Sequence, residues 1–190
     1  LVLKGFAFGR YYPNPSSRPA SDLDCYLCGK YEDGNLIAEK LGCEVSREDY
    51  RHSTFTYKAV HVENHKICTT VRGKKQRKIF ERYLRNLLET KNTVRIDETE
   101  LEQPCLMFNA LYFLQHAHRH FLREGITLRY ICDWAMISKA IANDKDFELE
   151  AFWKQCSLND LKSFAGSMSR LAYHVCGVKA SWLKDDVDLR

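Results

Sequence analysis

The chain lacks the long apolar runs and the strong charge that mark several large classes of protein. No run of about 18 apolar residues occurs, so we expect no membrane span. The net charge is only +4, which is too mild to predict a nucleic-acid partner from charge alone. No internal repeat appears either. With 190 residues, 45% of them hydrophobic, the chain can form one substantial core, or a small α/β core with a helical appendage.

The sequence also lacks a second C-x-x-C motif. The eight cysteines are scattered through apolar stretches, and the single C-x-x-C, Cys25 to Cys28, has neither the second pair of a zinc ribbon nor the helix start of a redox motif. We therefore expect buried thiols in a reducing compartment, which predicts a cytoplasmic protein. The residues given show no signal-peptide pattern. The chain begins without Met, so whether further residues precede Leu1 stays open.

The most informative stretch is residues 1–28, LVLKGFAFGRYYPNPSSRPASDLDCYLC. Its pattern predicts a strand, a glycine turn, a short helix, a polar loop and a second strand. Alternate side chains of a strand share one face, so Asp22 and Asp24 point one way while Leu23 and Cys25 point the other way. Neighbouring carboxylates repel each other unless a cation lies between them. The pattern therefore predicts a Mg²⁺ site, with a solvated strand end as the alternative.

The same stretch contains candidate phosphate ligands. Lys4 and Gly5 end the first apolar strand and open a helix, where backbone N–H groups and the helix dipole attract phosphate. Gly5 lets the backbone approach a ligand closely. Arg18 adds a guanidinium that can bind phosphate oxygens through two parallel hydrogen bonds.

These residues carry a family resemblance. The ordered set LKG, YYP, Arg18 and S-D-L-D resembles the nucleotidyltransferases of the DNA polymerase β superfamily, and most closely a poorly characterised bacterial branch. The segments LQHAHRHF and LRYICDWA extend the resemblance into the second half of the chain. The resemblance implies an α+β fold, a short mixed sheet with flanking helices, that carries two acids on one strand and a third acid on a neighbouring strand.

The third acid is expected in Ser53–Thr70, where β-branched and aromatic residues alternate with polar ones. The segment predicts either one strand or a hairpin that turns near Lys58-Ala59. The resemblance of V-E-N-H to the bacterial branch implies that Glu63 is this acid, although Asp is more usual in the wider superfamily. The alternative is the polar outer face of an edge strand.

Two histidines share the strand face of Glu63. If Val60 and Val62 face the core, then His61, Glu63 and His65 face the opposite side. A His-x-Glu-x-His set suits Zn²⁺ better than Mg²⁺, but no Cys or Asp of this segment completes it. We therefore expect His65 to orient Glu63 or to bind the substrate.

The remaining chain predicts mainly helices. A basic amphipathic helix is expected over 72–85, either as a solvated face or as a contact for RNA. A linker or hairpin is expected over 90–102. Further helices are predicted over 105–124, 127–142, 147–156 and 159–176, followed by an extended tail in which Trp182 docks. Pro104 is expected at a first-turn position of the first of these helices. The predicted domains are a nucleotidyltransferase lobe, residues 1–89, and a helical lobe, residues 90–190, with the active site in the cleft between them.

The resemblance implies a reaction in which a nucleoside triphosphate, for example ATP, transfers its NMP group to an acceptor and releases pyrophosphate. Asp22, Asp24 and Glu63 are the expected catalytic and metal-binding acids, with two Mg²⁺, or Mn²⁺, as cofactors. Lys4, Gly5, Arg18 and His65 are the expected substrate and phosphate ligands. The acceptor (protein, RNA or small molecule) and the oligomeric state stay open. The alternatives are a catalytically inactive nucleotide-binding or interaction module on the same fold and a metal-dependent phosphohydrolase.

Overall fold

A computed structural model describes residues 1–20, 22–69, 71, 73–96, 99–180 and 182, with only the backbone described for 91–96, 99 and 101. Two 3₁₀ helices, Gly5–Tyr11 and Pro15–Ser17, precede the first strand. The strands are β1 (Asp22–Tyr26), β2 (His52–Tyr57), β3 (Val60–His65), β4 (Lys91–Ile96) and β5 (Thr99–Pro104). The α-helices are α1 (Tyr31–Lys40), α2 (Lys74–Leu87), α3 (Leu106–Arg123), α4 (Leu128–Asn143), α5 (Leu149–Leu158) and α6 (Lys162–Cys176). A short mixed sheet with flanking helices and a C-terminal set of helices confirms the predicted α+β class.

The three-stranded sheet has the order β1-β3-β2, with β1 parallel and β2 antiparallel to the central strand β3. β2 and β3 form a hairpin whose turn residues, Lys58 and Ala59, have φ angles of 46° and 65°. Two left-handed residues are what a two-residue hairpin turn requires, and here neither is glycine. The hairpin interpretation of this segment is thus confirmed, and the single-strand interpretation is wrong.

The first residues pair with β1 without forming a full strand. Val2 makes an isolated antiparallel bridge to Cys25, and the Leu3 N–H donates to the Asp24 carbonyl at 2.9 Å. The 3₁₀ helix Gly5–Tyr11 then contacts β1 and buries Ala7 and Phe8. The predicted order of strand, turn, short helix, loop and strand is therefore found, with the first strand reduced to a bridge.

Helix α1 packs on β3 through a buried polar network. The Asn64 side-chain amide donates to the Asn35 side-chain oxygen and to the Tyr31 carbonyl, both at 2.9 Å. The Ser53 hydroxyl donates to the same Asn35 oxygen at 2.5 Å. Because side chains alternate along a strand, fixing Asn64 on the α1 side places Glu63 and His65 on the opposite face of the sheet.

The C-terminal helices enclose an aromatic core. The Trp134 ring stacks on Phe113 with centroids 5.7 Å apart, and its indole N–H donates to the Ser169 hydroxyl at 2.9 Å. Trp182 is 9% exposed and donates its indole N–H to the Ser138 carbonyl at 3.1 Å. Trp182 therefore docks as predicted. Gly177, with φ +69°, ends α6.

Two predicted helix starts are wrong. Pro104 ends β5 instead of lying in the first turn of α3, because the 90–102 segment forms a hairpin whose second strand reaches Pro104. The start of α6 predicted at Asn159 is too early, since Asp160 is left-handed, with φ +57°, and the helix begins at Lys162. Ser21, Thr70, Arg72 and residues 183–190, which belong to predicted segments, lie outside the described residues.

The chain divides into two compact units. The first, Leu1–Cys68 with Arg85–Cys105, contains the three-stranded sheet, α1 and the β4–β5 hairpin. The second, formed by the described residues of Thr69–Leu84 and Leu106–Arg190, contains α3 to α6 and most of α2. Within the part of the chain described, no helix combines the length and the apolar character needed to cross a membrane.

Candidate active site

Three acids meet on the sheet face opposite α1. Asp22 and Asp24 lie on β1, and Asp24 is directly across from Glu63 in the parallel register of β1 and β3. One carboxylate oxygen from each of the three residues lies within 4.8 Å of the others. The sheet thus brings together residues that are about forty positions apart, as the alternation within each strand requires.

Asp24 is the buried centre of this group. It is 1% exposed, and its Oδ1 accepts from the Lys4 ammonium at 2.8 Å and lies 2.9 Å from His65 Nε2. Its Oδ2 is also buried and has no hydrogen-bond partner among the described residues. A buried carboxylate oxygen without a donor costs free energy unless a ligand satisfies it. This oxygen is therefore a natural position for a cation.

Gly5 leaves room beside that oxygen. Its φ of +58° lies in the left-handed region, and a Cβ at Gly5 would stand 3.6 Å from Asp24 Oδ2 and 3.3 Å from the Asp22 carbonyl oxygen. Glycine suits this position for two reasons, because the backbone is left-handed and because a Cβ would occupy the space beside the unpartnered carboxylate oxygen. That Gly5 permits close approach of a ligand stays a prediction.

Lys4 and His65 neutralise the acids. Lys4 Nζ lies 3.6 Å from Glu63 Oε2, and His65 Nε2 lies 3.3 Å from the same oxygen. The hydrogen bond to His65 and the charge of Lys4 outweigh burial and hold the pKa of Glu63 far below its usual range. Burial lowers the pKa of His65, but its hydrogen bonds to Asp24 and Glu63 outweigh that effect and raise it overall. Glu63 is thus ionised, and the imidazolium form of His65 is favoured.

His52 is a neighbour that the sequence patterns did not single out. It lies on β2 directly opposite His65, and the two ring centroids are 5.1 Å apart. Its Nε2 is 3.8 Å from Glu63 Oε1, and its buried Nδ1 has no hydrogen-bond partner in the described part of the chain. Burial lowers the pKa of His52, which favours the neutral ring. The hairpin register would have revealed this pairing, because a turn at 58–59 sets position 52 opposite position 65.

His61, by contrast, is exposed on β3. Among the described residues, the ligand cluster around Glu63 and His65 is completed by His52 and not by His61. The physical reason is distance along the strand, since His61 pairs with Asp22 at one end of β3 and His52 pairs with His65 at the other.

The remaining predicted phosphate ligand, Arg18, has other contacts. Its guanidinium lies over the Phe8 ring at 5.8 Å, and its NH1 group donates to the Pro19 carbonyl at 3.2 Å. The role of Arg18 stays a prediction. The helix that Gly5 opens is a seven-residue 3₁₀ helix, so the charge of Lys4, more than a helix dipole, supplies positive potential here.

The donor set of Asp22, Asp24 and Glu63 consists of oxygen atoms alone. Hard divalent cations such as Mg²⁺ and Mn²⁺ prefer carboxylate oxygens, and the unpartnered Asp24 Oδ2 gives such an ion an unused ligand. The residues present therefore fit a hard divalent cation.

The chain was compared with solved structures, with curated protein sequences and with models of protein families. Among solved structures, the chain is similar to the crystal structure of an antigenic nucleotidyltransferase-like protein from Paracoccidioides brasiliensis, with 13% identity and a TM-score of 0.48 over 94% of this chain and 84% of that chain. The curated protein sequences gave no match. The model of a family described as uncharacterised nucleotidyltransferases matches residues 1–177, and the chain therefore belongs to that family.

Proposed function

We propose that the protein is a metal-dependent nucleotidyltransferase whose catalytic acids are Asp22, Asp24 and Glu63. The observation that supports this proposal most directly is the meeting of the three carboxylates around the buried, unpartnered Oδ2 of Asp24. Membership of a nucleotidyltransferase family supplies the reaction class. The substrate is a nucleoside triphosphate, and ATP is the first to test. The free thiols of the described cysteines support a reducing, cytoplasmic location as part of the same proposal.

In the proposed reaction, an acceptor hydroxyl or phosphate oxygen attacks the α-phosphorus of the triphosphate. The bond from the α-phosphorus to the oxygen bridging to the β-phosphorus breaks, pyrophosphate leaves, and a hydroxyl acceptor loses its proton to solvent. Mg²⁺, or Mn²⁺, held by Asp22, Asp24 and Glu63 would neutralise the triphosphate and align the attacking and leaving oxygens.

The surrounding residues would bind and orient the substrate. Lys4 would contact the β- and γ-phosphates from the Gly5 turn, and Arg18 is the second candidate cation for them. His65 fixes the orientations of Asp24 and Glu63 through its hydrogen bonds. Glu63 acts as a ligand more than as a general base, because a carboxylate with so low a pKa accepts a proton poorly.

The alternatives make different products. A Glu63 that pointed away from the aspartates would favour an inactive binding module, whereas one carboxylate oxygen of Glu63 lies within 4.8 Å of those of Asp22 and Asp24. A phosphohydrolase would release a nucleotide and phosphate without labelling an acceptor. The assay therefore follows both products.

The experiment incubates purified protein with Mg²⁺ and each α-labelled nucleoside triphosphate. Pyrophosphate release is measured together with transfer of the label to the protein itself, to RNA and to small-molecule hydroxyl acceptors. We expect Asp22→Asn to lower turnover at least about 100-fold, because charge stabilisation at the reacting phosphorus is lost. The matched control is Asp33→Asn, an exposed aspartate of α1 in the same unit, which should retain full activity. Equal turnover by wild type and Asp22→Asn would refute the proposal.

A further inference from the structure

We propose that His52, Glu63 and His65 form a second metal site, which takes a borderline transition-metal ion such as Zn²⁺ in place of the hard cation. This site shares Glu63 with the acidic set, and its His65 Nε2 also lies 2.9 Å from Asp24 Oδ1 of that set. The two sets lie on the same sheet face, one towards β1 and one towards β2.

The distances suit a tetrahedral ion. His65 Nε2 is 3.3 Å from Glu63 Oε2, and His52 Nε2 is 3.8 Å from Glu63 Oε1, while the chosen ligand atoms of all three residues lie within 4.8 Å of one another. A tetrahedral Zn²⁺ with bonds of about 2.0 Å separates its ligands by roughly 3.3 Å. Zn²⁺ binding would release the proton of His65 Nε2 and replace its contact with Asp24 Oδ1, and small side-chain rotations would then bring all three ligand atoms into coordination.

The backbone holds these ligands in place. His52 and His65 are directly opposite in the antiparallel β2–β3 pair, and Glu63 is two residues before His65 on the same strand. All three side chains therefore leave the sheet on one face, at positions fixed by backbone hydrogen bonds. Sites built on paired strands are more precise than sites on loops.

His52 also has unused bonding capacity. The described residues give its ring no hydrogen bond, and its buried Nδ1 has no partner among them. Nε2 is 3.8 Å from Glu63 Oε1, beyond hydrogen-bond distance, so this nitrogen is the one that can take an ion, while the buried Nδ1 carries the ring proton. The side chain is 13% exposed, which leaves a route from solvent and an open position for water.

The chemistry of this set selects a different ion from that of the acidic set. Two imidazoles and one carboxylate are a ligand combination of zinc sites, whereas Mg²⁺ prefers oxygen ligands alone. Because Glu63 belongs to both sets, Zn²⁺ at the histidine set removes a ligand from the Mg²⁺ set. Zn²⁺ is therefore expected to inhibit nucleotidyl transfer, a consequence that rests on the proposed function, whereas the binding itself does not.

The first test measures binding without activity. Metal-free wild type, His52→Gln and His61→Gln are titrated with Zn²⁺ by calorimetry under reducing conditions and examined with Co²⁺ by visible spectroscopy. We expect His52→Gln to weaken Zn²⁺ binding more than about tenfold, the lower end of the affinity losses seen when an interaction at a metal site is removed. The visible absorption bands of four-coordinate Co²⁺ should also disappear in this variant. His61→Gln, on the same strand, should match wild type. Circular dichroism checks that each variant folds, and His52→Asn replaces His52→Gln if the latter does not.

Two results would overturn the site. One is equal Zn²⁺ affinity in wild type and His52→Gln. The other is a sulfur-to-cobalt charge-transfer band in the wild-type spectrum, which would place the ion at cysteines.

The second test separates this site from the proposed active site. Mn²⁺ binding is followed by electron paramagnetic resonance while Zn²⁺ is added. Zn²⁺ should displace Mn²⁺ from wild type and should fail to do so, at the same concentration, from His52→Gln. Asp22→Asn should lose Mn²⁺ binding and keep Zn²⁺ binding. If wild type binds Zn²⁺ through His52 but never binds Mn²⁺, the proposed function fails and the histidine site stands. If Asp22→Asn loses both ions, the two-set inference fails.

Discussion

The ammonium group of Lys4 lies where two carboxylates converge, and we predict that removing its charge destabilises the metal-free protein. Lys4 Nζ is 2.8 Å from Asp24 and 3.6 Å from Glu63, and the three side chains are 15%, 1% and 19% exposed. Breaking a buried ion pair from one side costs about 3–5 kcal/mol, because the remaining charge is left uncompensated. His65 contacts both acids and retains part of the compensation. We therefore expect Lys4→Met to lower the free energy of unfolding by about 2–4 kcal/mol.

The assay is urea denaturation in the presence of a chelator, with Lys66→Met as the matched control. Lys66 pairs with Glu32 at 3.7 Å, but the two side chains are 55% and 64% exposed. Exposed pairs contribute about 0–1 kcal/mol, so the control should stay close to wild type.

The response to metal sharpens this prediction. A divalent cation at the acids competes with the Lys4 ammonium in wild type and meets no such competitor in Lys4→Met. Added Mg²⁺ should therefore stabilise Lys4→Met more than it stabilises wild type. The reasoning is refuted if Lys4→Met is as stable as Lys66→Met without metal, or if Mg²⁺ stabilises wild type and Lys4→Met equally.

Two further changes test the surroundings of the site. Gly5→Ala should lower both stability, by about 1–2 kcal/mol for a left-handed alanine, and Mn²⁺ affinity, because its Cβ lies 3.6 Å from Asp24 Oδ2. Gly29→Ala, left-handed but with open space around it, should lose stability alone, and equal Mn²⁺ affinities in the two variants would contradict the crowding. Asp49 hydrogen-bonds Arg51 just before β2, and this contact lowers the pKa of Asp49 from 3.8 to about 2. A lowered carboxyl pKa gives stability that is present above 3.8 and is lost as the pH falls towards 2, so Asp49→Asn should be less stable than wild type near neutral pH. In acid unfolding curves, the stability difference between wild type and Asp49→Asn should fall to zero as the pH drops from 3.8 towards 2. A stability difference that stays constant with pH would contradict this prediction.

Much of the site followed from strand alternation and from the family resemblance. The period of two placed Asp22 and Asp24 on one face, and the V-E-N-H resemblance pointed to Glu63. Alternation did not reveal that Asp24 is buried and more enclosed than Leu23 or Cys25 on the opposite face. Asp24 is covered by residues before β1, including Lys4 and the 3₁₀ helix that begins at Gly5. This contact is tertiary packing, which the pattern within a single strand does not predict.

The sequence patterns did not point to His52, because they left undecided whether Ser53–Thr70 forms one strand or a hairpin. The turn residues Lys58 and Ala59 adopt left-handed conformations that usually require Asn or Gly, so the local sequence gave little support to a two-residue turn. The position of the turn determines the register between β2 and β3, and only that register pairs His52 with His65. The boundary at Pro104 failed for a related reason, since a proline can equally end an edge strand or start a helix.

The central claim, that three carboxylates hold a divalent cation, is tested most directly by anomalous diffraction from crystals soaked in Mn²⁺ with a non-hydrolysable nucleoside triphosphate. We predict an anomalous peak in coordination contact with Asp22, Asp24 and Glu63, on the side of Asp24 Oδ2. Saturating Mn²⁺ with no peak at these three residues would contradict the account.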